Sequence, residues 1–125
     1  MTRTVLVVDD SETVRKLLRW ILAPLSLRVL EAADGVLALE AMGREDVDLV
    51  VADLNMPVMD GLELVRSIRA LPSRGNTPVL MLTTEPRERD IQAALKAGVN
   101  QYLQKPSTPA VIREKVLALL GETGS

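Results

Sequence analysis

Five polar residues of this sequence have types and positions suited to phosphoryl or metal chemistry. Asp9 and Asp10, Asp53, Thr83 and Lys105 each stand at or just beyond the end of a short, mostly apolar run. Each run has the length and composition of a buried strand. Ligands of parallel sheets bind beyond the carboxyl ends of the strands, so three carboxylates, a hydroxyl and an ammonium are expected to converge at one edge.

Three carboxylates in one place repel one another strongly. Two carboxylates about 4 Å apart repel by roughly 4 kcal/mol at an effective dielectric near 20, so three such pairs approach about 12 kcal/mol. Lys105 supplies one positive charge, and a divalent cation is the natural source of the rest. Oxygen-only ligands favour Mg²⁺ or Mn²⁺ over Zn²⁺. The cluster therefore predicts a magnesium-type site.

A carboxylate beside such an ion can attack phosphorus and form an aspartyl phosphate. Asp53 is the best candidate for the nucleophile because it stands alone at the middle of the sheet, which leaves Asp9 and Asp10 as the metal carboxylates. Lys105 and the metal would neutralise the transferring oxygens, and Thr83 would donate a hydrogen bond to one of them. A single Asp after a strand is usually a cap or turn residue, so the prediction depends on the joint pattern.

The composition excludes several other kinds of chemistry. The 125 residues contain no Cys and no His, which removes disulfides, thiolate or histidine metal sites, Cys nucleophiles and Ser-His-Asp catalysis. The net charge of −2 argues against nucleic acid or an anionic membrane as a partner. No apolar run reaches the length of a membrane span, and the N-terminal run is too short for a signal peptide. We expect a cytoplasmic protein.

The elements that must position these residues alternate along the chain. Short apolar runs are followed by segments with helical periodicity, which predicts an α/β fold: a doubly wound five-stranded parallel sheet with helices on both faces. The strands are predicted at 4–8, 27–30, 47–52, 78–82 and 99–103. The helix starts are marked by the capping residues or prolines Ser11, Asp34, Asp60, Pro86 and Pro109.

The helix patterns also predict which side chains face the core. Leu17 falls on the apolar face of the first helix and Leu95 on that of the fourth, whereas Trp20 falls outside the inward stripe. Nothing in the sequence indicates a linker or a repeat. We expect one domain over residues 1–121 and a short tail over 122–125.

With these residues placed, the chain resembles the receiver domain of two-component response regulators. The resemblance runs from about Thr4 to Leu120 and implies a flavodoxin-like fold with strand order 2-1-3-4-5. Asp53 and Thr83 are 30 residues apart and Thr83 and Lys105 are 22 apart, intervals similar to those of the family. The motifs that carry it are Val7-Val8-Asp9-Asp10-Ser11, Asp53-Leu54-Asn55-Met56-Pro57-Val58-Met59-Asp60-Gly61, Leu82-Thr83-Thr84 and Lys105-Pro106.

The resemblance implies a role for each member of the acidic cluster. Asp53 is similar to the phosphoacceptor of the family, and Asp9 and Asp10 look like the acidic pair that holds Mg²⁺. Asp53 itself and the backbone carbonyl of Asn55 would be further metal ligands. Lys105 resembles the lysine that contacts the phosphoryl group, and its bond to the following proline is commonly cis in the family.

The resemblance also implies which residues change conformation on phosphorylation and which influence the lifetime of the phosphoryl group. Thr83 is similar to the hydroxyl that moves toward the phosphoryl group, and Tyr102 looks like the aromatic residue that turns inward behind it. Asn55 and Glu85 stand at two positions that bear on phosphoryl lifetime. Their polar and acidic character resembles the stand-alone, chemotaxis-type (CheY-like) regulators, which predicts a short-lived phosphoryl group.

A function follows from the resemblance. A histidine kinase or phosphotransfer protein would phosphorylate Asp53, and the surface of helix 4, strand 5 and helix 5 would then change its affinity for a downstream protein target. The chain would be a stand-alone regulator and not an enzyme, catalysing only its own phosphorylation and dephosphorylation. It would be a monomer or a weak phosphorylation-dependent dimer.

Three other functions remain open at this point. An Asp-nucleophile, Mg²⁺-dependent phosphohydrolase usually carries Asp-x-Asp after the first strand and a cap domain, whereas this chain has Asp9-Asp10-Ser11 there. A scaffold receiver that is not phosphorylated would not need the complete acidic set. A flavodoxin-like carrier would need a Ser/Thr/Gly-rich phosphate loop after the first strand and stacking aromatics.

Overall fold

Short aliphatic segments form the five strands of the sheet. The computed structural model describes residues 2–84 and 87–121. The strands are β1 (Thr4–Val8), β2 (Arg28–Ala32), β3 (Leu49–Asp53), β4 (Val79–Thr83) and β5 (Gln101–Gln104). They pair in parallel in the order β2-β1-β3-β4-β5. This confirms the predicted α/β class and the flavodoxin-like strand order.

Within the described residues, four helices connect the strands and a fifth follows β5, and side-chain caps start most of them. Each capping side chain accepts a hydrogen bond from a backbone N–H of the first turn, which would otherwise lack a partner. A short 3₁₀ turn, Ala23–Leu25, follows the first helix. The helices are α1 (Glu12–Leu22), α2 (Gly35–Arg44), α3 (Gly61–Arg69), α4 (Glu88–Ala97) and α5 (Pro109–Leu119). The capping residues are Ser11, Asp34, Asp60 and Thr108.

The sheet separates two apolar cores. Val5 and Val7 of β1 pack with α1 and α5, while Leu6 and Val8 pack with residues of α2, α3 and α4. All of these strand residues are buried. Helices on both faces explain why the central strands are apolar at consecutive positions over most of their length.

Several predicted boundaries shift by one or two residues. Asp53 and Thr83 are the last residues of β3 and β4, not the first residues beyond them. The strand β5 begins at Gln101 because Val99, two residues beyond α4, still caps the last turn of that helix: its N–H donates to the Ala94 carbonyl at 3.0 Å. The predicted helix start at Pro86 and the predicted tail at 122–125 lie outside the described residues.

Two of the predicted core positions are wrong. Leu17 is 52% exposed and Leu95 is 49% exposed. The residues of α1 that reach the core are Leu18, Ile21 and Leu22, so the inward stripe is narrower than the apolar pattern. Trp20 is exposed, as expected. Within the described ranges, no helix has the combined length and apolar character needed to cross a bilayer.

The start of α3 approaches the end of β3 so closely that only glycine fits. A Cβ on Gly61 would stand 2.7 Å from the Asp53 carbonyl oxygen and 2.9 Å from the Leu54 Cα. Both neighbours are backbone atoms, so relief requires a shift of the strand end that carries Asp53. Gly61 thus sets the distance between the helix and the candidate site.

We expect Gly61→Ala to lower the free energy of unfolding by about 1–3 kcal/mol because its methyl group overlaps backbone atoms. The matched control is Gly43→Ala in α2, where a Cβ meets nothing within 4 Å. The control should raise the stability by up to about 1 kcal/mol through helix propensity. Urea unfolding of the two variants measures both effects. Equal stabilities would contradict the close backbone contact assigned to Gly61.

Candidate functional site

The acidic residues of the site lie at the end of β3 and directly after the end of β1. The Asp9 N–H donates to the Ala32 carbonyl at 3.1 Å, which extends the β1–β2 ladder by one residue. One carboxylate oxygen of Asp9 then accepts from the Ser11 N–H at 2.9 Å. The backbone around the start of α1 therefore sets the direction of the Asp9 carboxylate.

Three carboxylates converge at this edge of the sheet, as the sequence predicts. Asp9, Asp10 and Asp53 each offer an oxygen, and these oxygens lie within 4.8 Å of one another. The Asp9 side chain is buried, Asp53 is half-buried and Asp10 is exposed. Such a set of hard oxygen ligands, open to solvent on one side, fits a hydrated Mg²⁺.

Lys105 is the cation that faces this cluster. Its Nζ lies 3.1 Å from Asp9 Oδ2 and 3.5 Å from Asp53 Oδ1. The Lys105 N–H donates to the Thr83 carbonyl at 2.6 Å, which anchors the residue to the end of β4. The following peptide bond, to Pro106, is cis, as the family resemblance implied.

The electrostatics of the site raise the pKa of the Asp53 carboxyl above its ordinary value. Partial burial is the largest cause, and the charge of Asp9 acts in the same direction. Lys105 and the N–H of Asn55 oppose the shift without cancelling it. A further positive charge close to Asp53 would therefore stabilise its ionised form.

A tight turn shapes the loop between β3 and α3. Val58 has a φ of 70°, and the Met59 N–H donates back to the Pro57 carbonyl at 2.7 Å. This is a γ-turn geometry, which is strained for a β-branched residue. The Gly61 N–H closes the loop on the Leu54 carbonyl at 2.8 Å. The loop thus holds the segment that contains the exposed Asn55 beside Asp53.

Thr83 and Tyr102 lie on neighbouring strands behind the acidic cluster. Thr83 is fully buried, and Tyr102 is half-buried with a buried hydroxyl. Burial raises the pKa of the Tyr102 phenol, and the nearby Thr83 hydroxyl opposes the shift, although the two hydroxyls do not form a hydrogen bond of ordinary geometry. The proposed switch pair is therefore brought together, whereas Glu85 lies outside the described residues.

Sequence reasoning missed one residue that contacts the site. Arg15 of α1 donates from a terminal guanidinium nitrogen to the Asp9 carbonyl at 2.6 Å. The only signal in the sequence was a basic residue on the first helix close to the acidic pair. That signal cannot be separated from an ordinary surface arginine without the tertiary structure.

Three kinds of comparison relate the chain to known proteins. The family model for the response regulator receiver domain matches residues 5–117. The Campylobacter jejuni protein named "Chemotaxis protein CheY homolog" is 47% identical over 122 residues, which cover 96% of this chain and 93% of that protein. Chemotaxis protein CheY4 of Vibrio cholerae has a solved structure with a TM-score of 0.90 and 34% identity, covering 95% of this chain and 99% of that one.

A further solved structure is described with a metal ion. It is the receiver domain of the sensor histidine kinase PA1611 from Pseudomonas aeruginosa, with a magnesium ion coordinated in the active site cleft. Its TM-score is 0.88 and its identity 30%, with 98% of this chain and 100% of that chain covered.

We expect Asp53→Asn to raise the melting temperature by a few degrees in buffer without divalent cations. The substitution removes a carboxylate that burial and Asp9 disfavour. The matched control is Asp46→Asn, which removes an exposed carboxylate paired with Arg74 and should leave the melting temperature unchanged or slightly lower.

The stability difference between wild type and Asp53→Asn also depends on pH. A raised carboxyl pKa means that the folded state binds the proton more tightly than the unfolded state, so the penalty is present at neutral pH and fades in acid. The stability difference between wild type and Asp53→Asn should close below the ordinary carboxyl pKa of about 3.9. A difference that grows in acid would contradict the assigned shift.

Proposed function

The chain belongs to the response regulator receiver domain family, and we propose that it is a phosphorylation switch whose phosphoacceptor is Asp53. A histidine kinase or phosphotransfer protein would supply the phosphoryl group. The donor histidine must belong to that partner because this sequence contains no His. The observation that carries the proposal is the half-buried Asp53 carboxylate beside Lys105 and two further carboxylates.

The transfer would join a carboxylate oxygen of Asp53 to phosphorus while the phosphorus–nitrogen bond of the donor breaks. The Lys105 ammonium, 3.5 Å from Asp53 Oδ1, is placed to attract the negative phosphoryl oxygens. The Thr83 hydroxyl would donate a hydrogen bond to one of these oxygens. Asp53 starts as an anion that its surroundings disfavour, which supports its use as an acceptor of a new bond.

Receiver domains bind Mg²⁺ at an acidic pocket, and we propose that Asp9, Asp10, Asp53 and the Asn55 carbonyl hold it here. When bound, Mg²⁺ supplies positive charge that neutralises the oxygens of the transferring phosphoryl group. The Pseudomonas aeruginosa receiver domain, described with a magnesium ion in its active site cleft, supports the same ion for this chain. Mn²⁺ suits the same ligands.

The output of the switch would be a change of the surface made by α4, β5 and α5. Phosphorylation adds charge and acceptor oxygens at Asp53. Movement of Thr83 toward the phosphoryl group would remove a neighbour of Tyr102 and favour a state in which the aromatic ring fills that space. Phosphorylation at Asp53 and target binding at the α4, β5 and α5 surface would then bias the same two-state equilibrium. Such a shared equilibrium is sufficient to couple the two sites.

The surface made by α4, β5 and α5 is suited to binding another protein. It presents exposed polar and basic side chains, among them Arg89, Lys96 and Gln104, to a downstream protein target. We propose a cytoplasmic regulator that acts through protein contact, not through nucleic acid or a membrane. Its own phosphorylation and dephosphorylation would be its only catalysis, and residues 1–121 would form the receiver domain.

Treatment with acetyl phosphate and Mg²⁺ should add one phosphoryl group to the wild type, as measured by intact-protein mass spectrometry. Asp53→Asn should show no adduct, and chelation of Mg²⁺ should abolish it in the wild type. The matched control Asp46→Asn should retain it, because that carboxylate lies on the surface and pairs with Arg74. An adduct that survives Asp53→Asn would contradict the phosphoacceptor, and repeated phosphoester turnover would indicate a phosphohydrolase.

We expect the phosphorylated protein to lose its phosphoryl group within minutes in Mg²⁺ because Asn55 and Glu85 are polar. Replacing Asn55, whose side chain is exposed beside the site, by Met should lengthen the lifetime by excluding water. The decay of the adduct by mass spectrometry measures both proteins. A wild-type phosphoprotein that persists for hours would show that the polar residues do not speed hydrolysis.

A further inference from the structure

We propose that Arg15 is a positioning residue of the acidic site, which it serves by fixing the peptide unit between Asp9 and Asp10. Glu31 on the edge strand β2 holds the guanidinium in place. The inference deepens the function proposed above and rests on it, because it concerns the affinity of the same acidic cluster for Mg²⁺.

The contacts of Arg15 run in two directions. One terminal nitrogen donates to the Asp9 carbonyl at 2.6 Å, and Nε donates to Glu31 Oε1 at 3.1 Å. The Arg15 side chain is only 14% exposed. The guanidinium is therefore a two-point bridge between the edge strand and the main chain at the centre of the site, and such planar donors hold their geometry well.

The Asp9 carbonyl that accepts the hydrogen bond from Arg15 belongs to the peptide unit joining Asp9 to Asp10. The preceding N–H of Asp9 is already tied to Ala32, and the Asp9 carboxylate is tied to Ser11 and Lys105. Without Arg15, that peptide plane loses its side-chain hydrogen bond and can rotate. The directions of both carboxylates depend on that plane, because it separates their two Cα atoms.

Arg19 offers a matched comparison on the same helix. Its Nε donates to Glu31 Oε2 at 3.0 Å, and a terminal nitrogen donates to the Val29 carbonyl at 2.9 Å. Arg19 thus shares the carboxylate of Glu31 with Arg15, yet its main-chain contact is on β2 and its side chain is 49% exposed. Two arginines on one glutamate also leave one net positive charge near the acidic cluster.

Isothermal titration of Mg²⁺ into the unphosphorylated protein tests the proposal without any phosphoryl transfer. Arg15→Gln should weaken Mg²⁺ binding by about tenfold, the usual effect of removing a group that orients a metal ligand. Arg19→Gln should change it by less than about twofold because its pair with Glu31 is exposed. Circular dichroism and urea unfolding confirm that each variant is folded under the conditions of the titration.

A charge-retaining variant separates orientation from electrostatics. Arg15→Lys keeps the positive charge but lacks the planar fork that reaches Glu31 and the Asp9 carbonyl together, so its Mg²⁺ affinity should stay near that of Arg15→Gln. Loss of the positive charge alone would strengthen Mg²⁺ binding, because Arg15 and Mg²⁺ repel each other. Full recovery of the affinity in Arg15→Lys would show that the planar fork is not needed and would overturn the positioning role. Equal losses in the Arg15 and Arg19 variants would overturn it as well.

The outcomes also separate this inference from the function on which it rests. A wild type that binds no Mg²⁺ contradicts the proposed function itself. A wild type that binds Mg²⁺ with an affinity unchanged in Arg15→Gln contradicts only the role of Arg15.

Discussion

The mutual repulsion of Asp9, Asp10 and Asp53 is the constraint on which this structure depends. Their oxygens lie within 4.8 Å of one another, and the ammonium of Lys105 offsets only part of the negative charge. Such a cluster opposes folding when no further cation is bound, and clusters of this kind are concentrated at functional sites. Under the proposed function, a divalent cation would neutralise the pocket and a phosphoryl group would form a bond with Asp53.

The parallel sheet makes the cluster possible. It brings the carboxyl ends of β1, β3, β4 and β5 to one edge, where loops can present side chains while the strands stay buried. Close backbone packing at Gly61 and the turn at Val58 then hold the β3–α3 loop against this edge. The same edge brings Thr83 and Tyr102 behind the acidic cluster, so under the proposed function a change of charge at Asp53 would reach Tyr102 through neighbouring strands.

The sequence predicted the site better than it predicted the packing around it. The cluster was predictable because each acidic residue and Lys105 stand at a strand end, and strand direction then determines where they meet. Leu17 and Leu95 were misplaced because apolar spacing identifies a helix face but not how wide a stripe the neighbouring elements cover. Arg15 was not predictable, since its contact with the Asp9 carbonyl exists only where α1 crosses the edge of the sheet. The roles of Asn55 and Tyr102 came from the family resemblance and not from their spacing.

The dependence of folding stability on Mg²⁺ tests the central claim most directly. If the acidic cluster binds the cation in the folded state alone, the free energy of unfolding of the wild type rises by about 1.4 kcal/mol for each tenfold increase in Mg²⁺ above the dissociation constant. Urea unfolding at a series of Mg²⁺ concentrations and constant ionic strength measures this slope. A stability that does not change with Mg²⁺ would contradict the account.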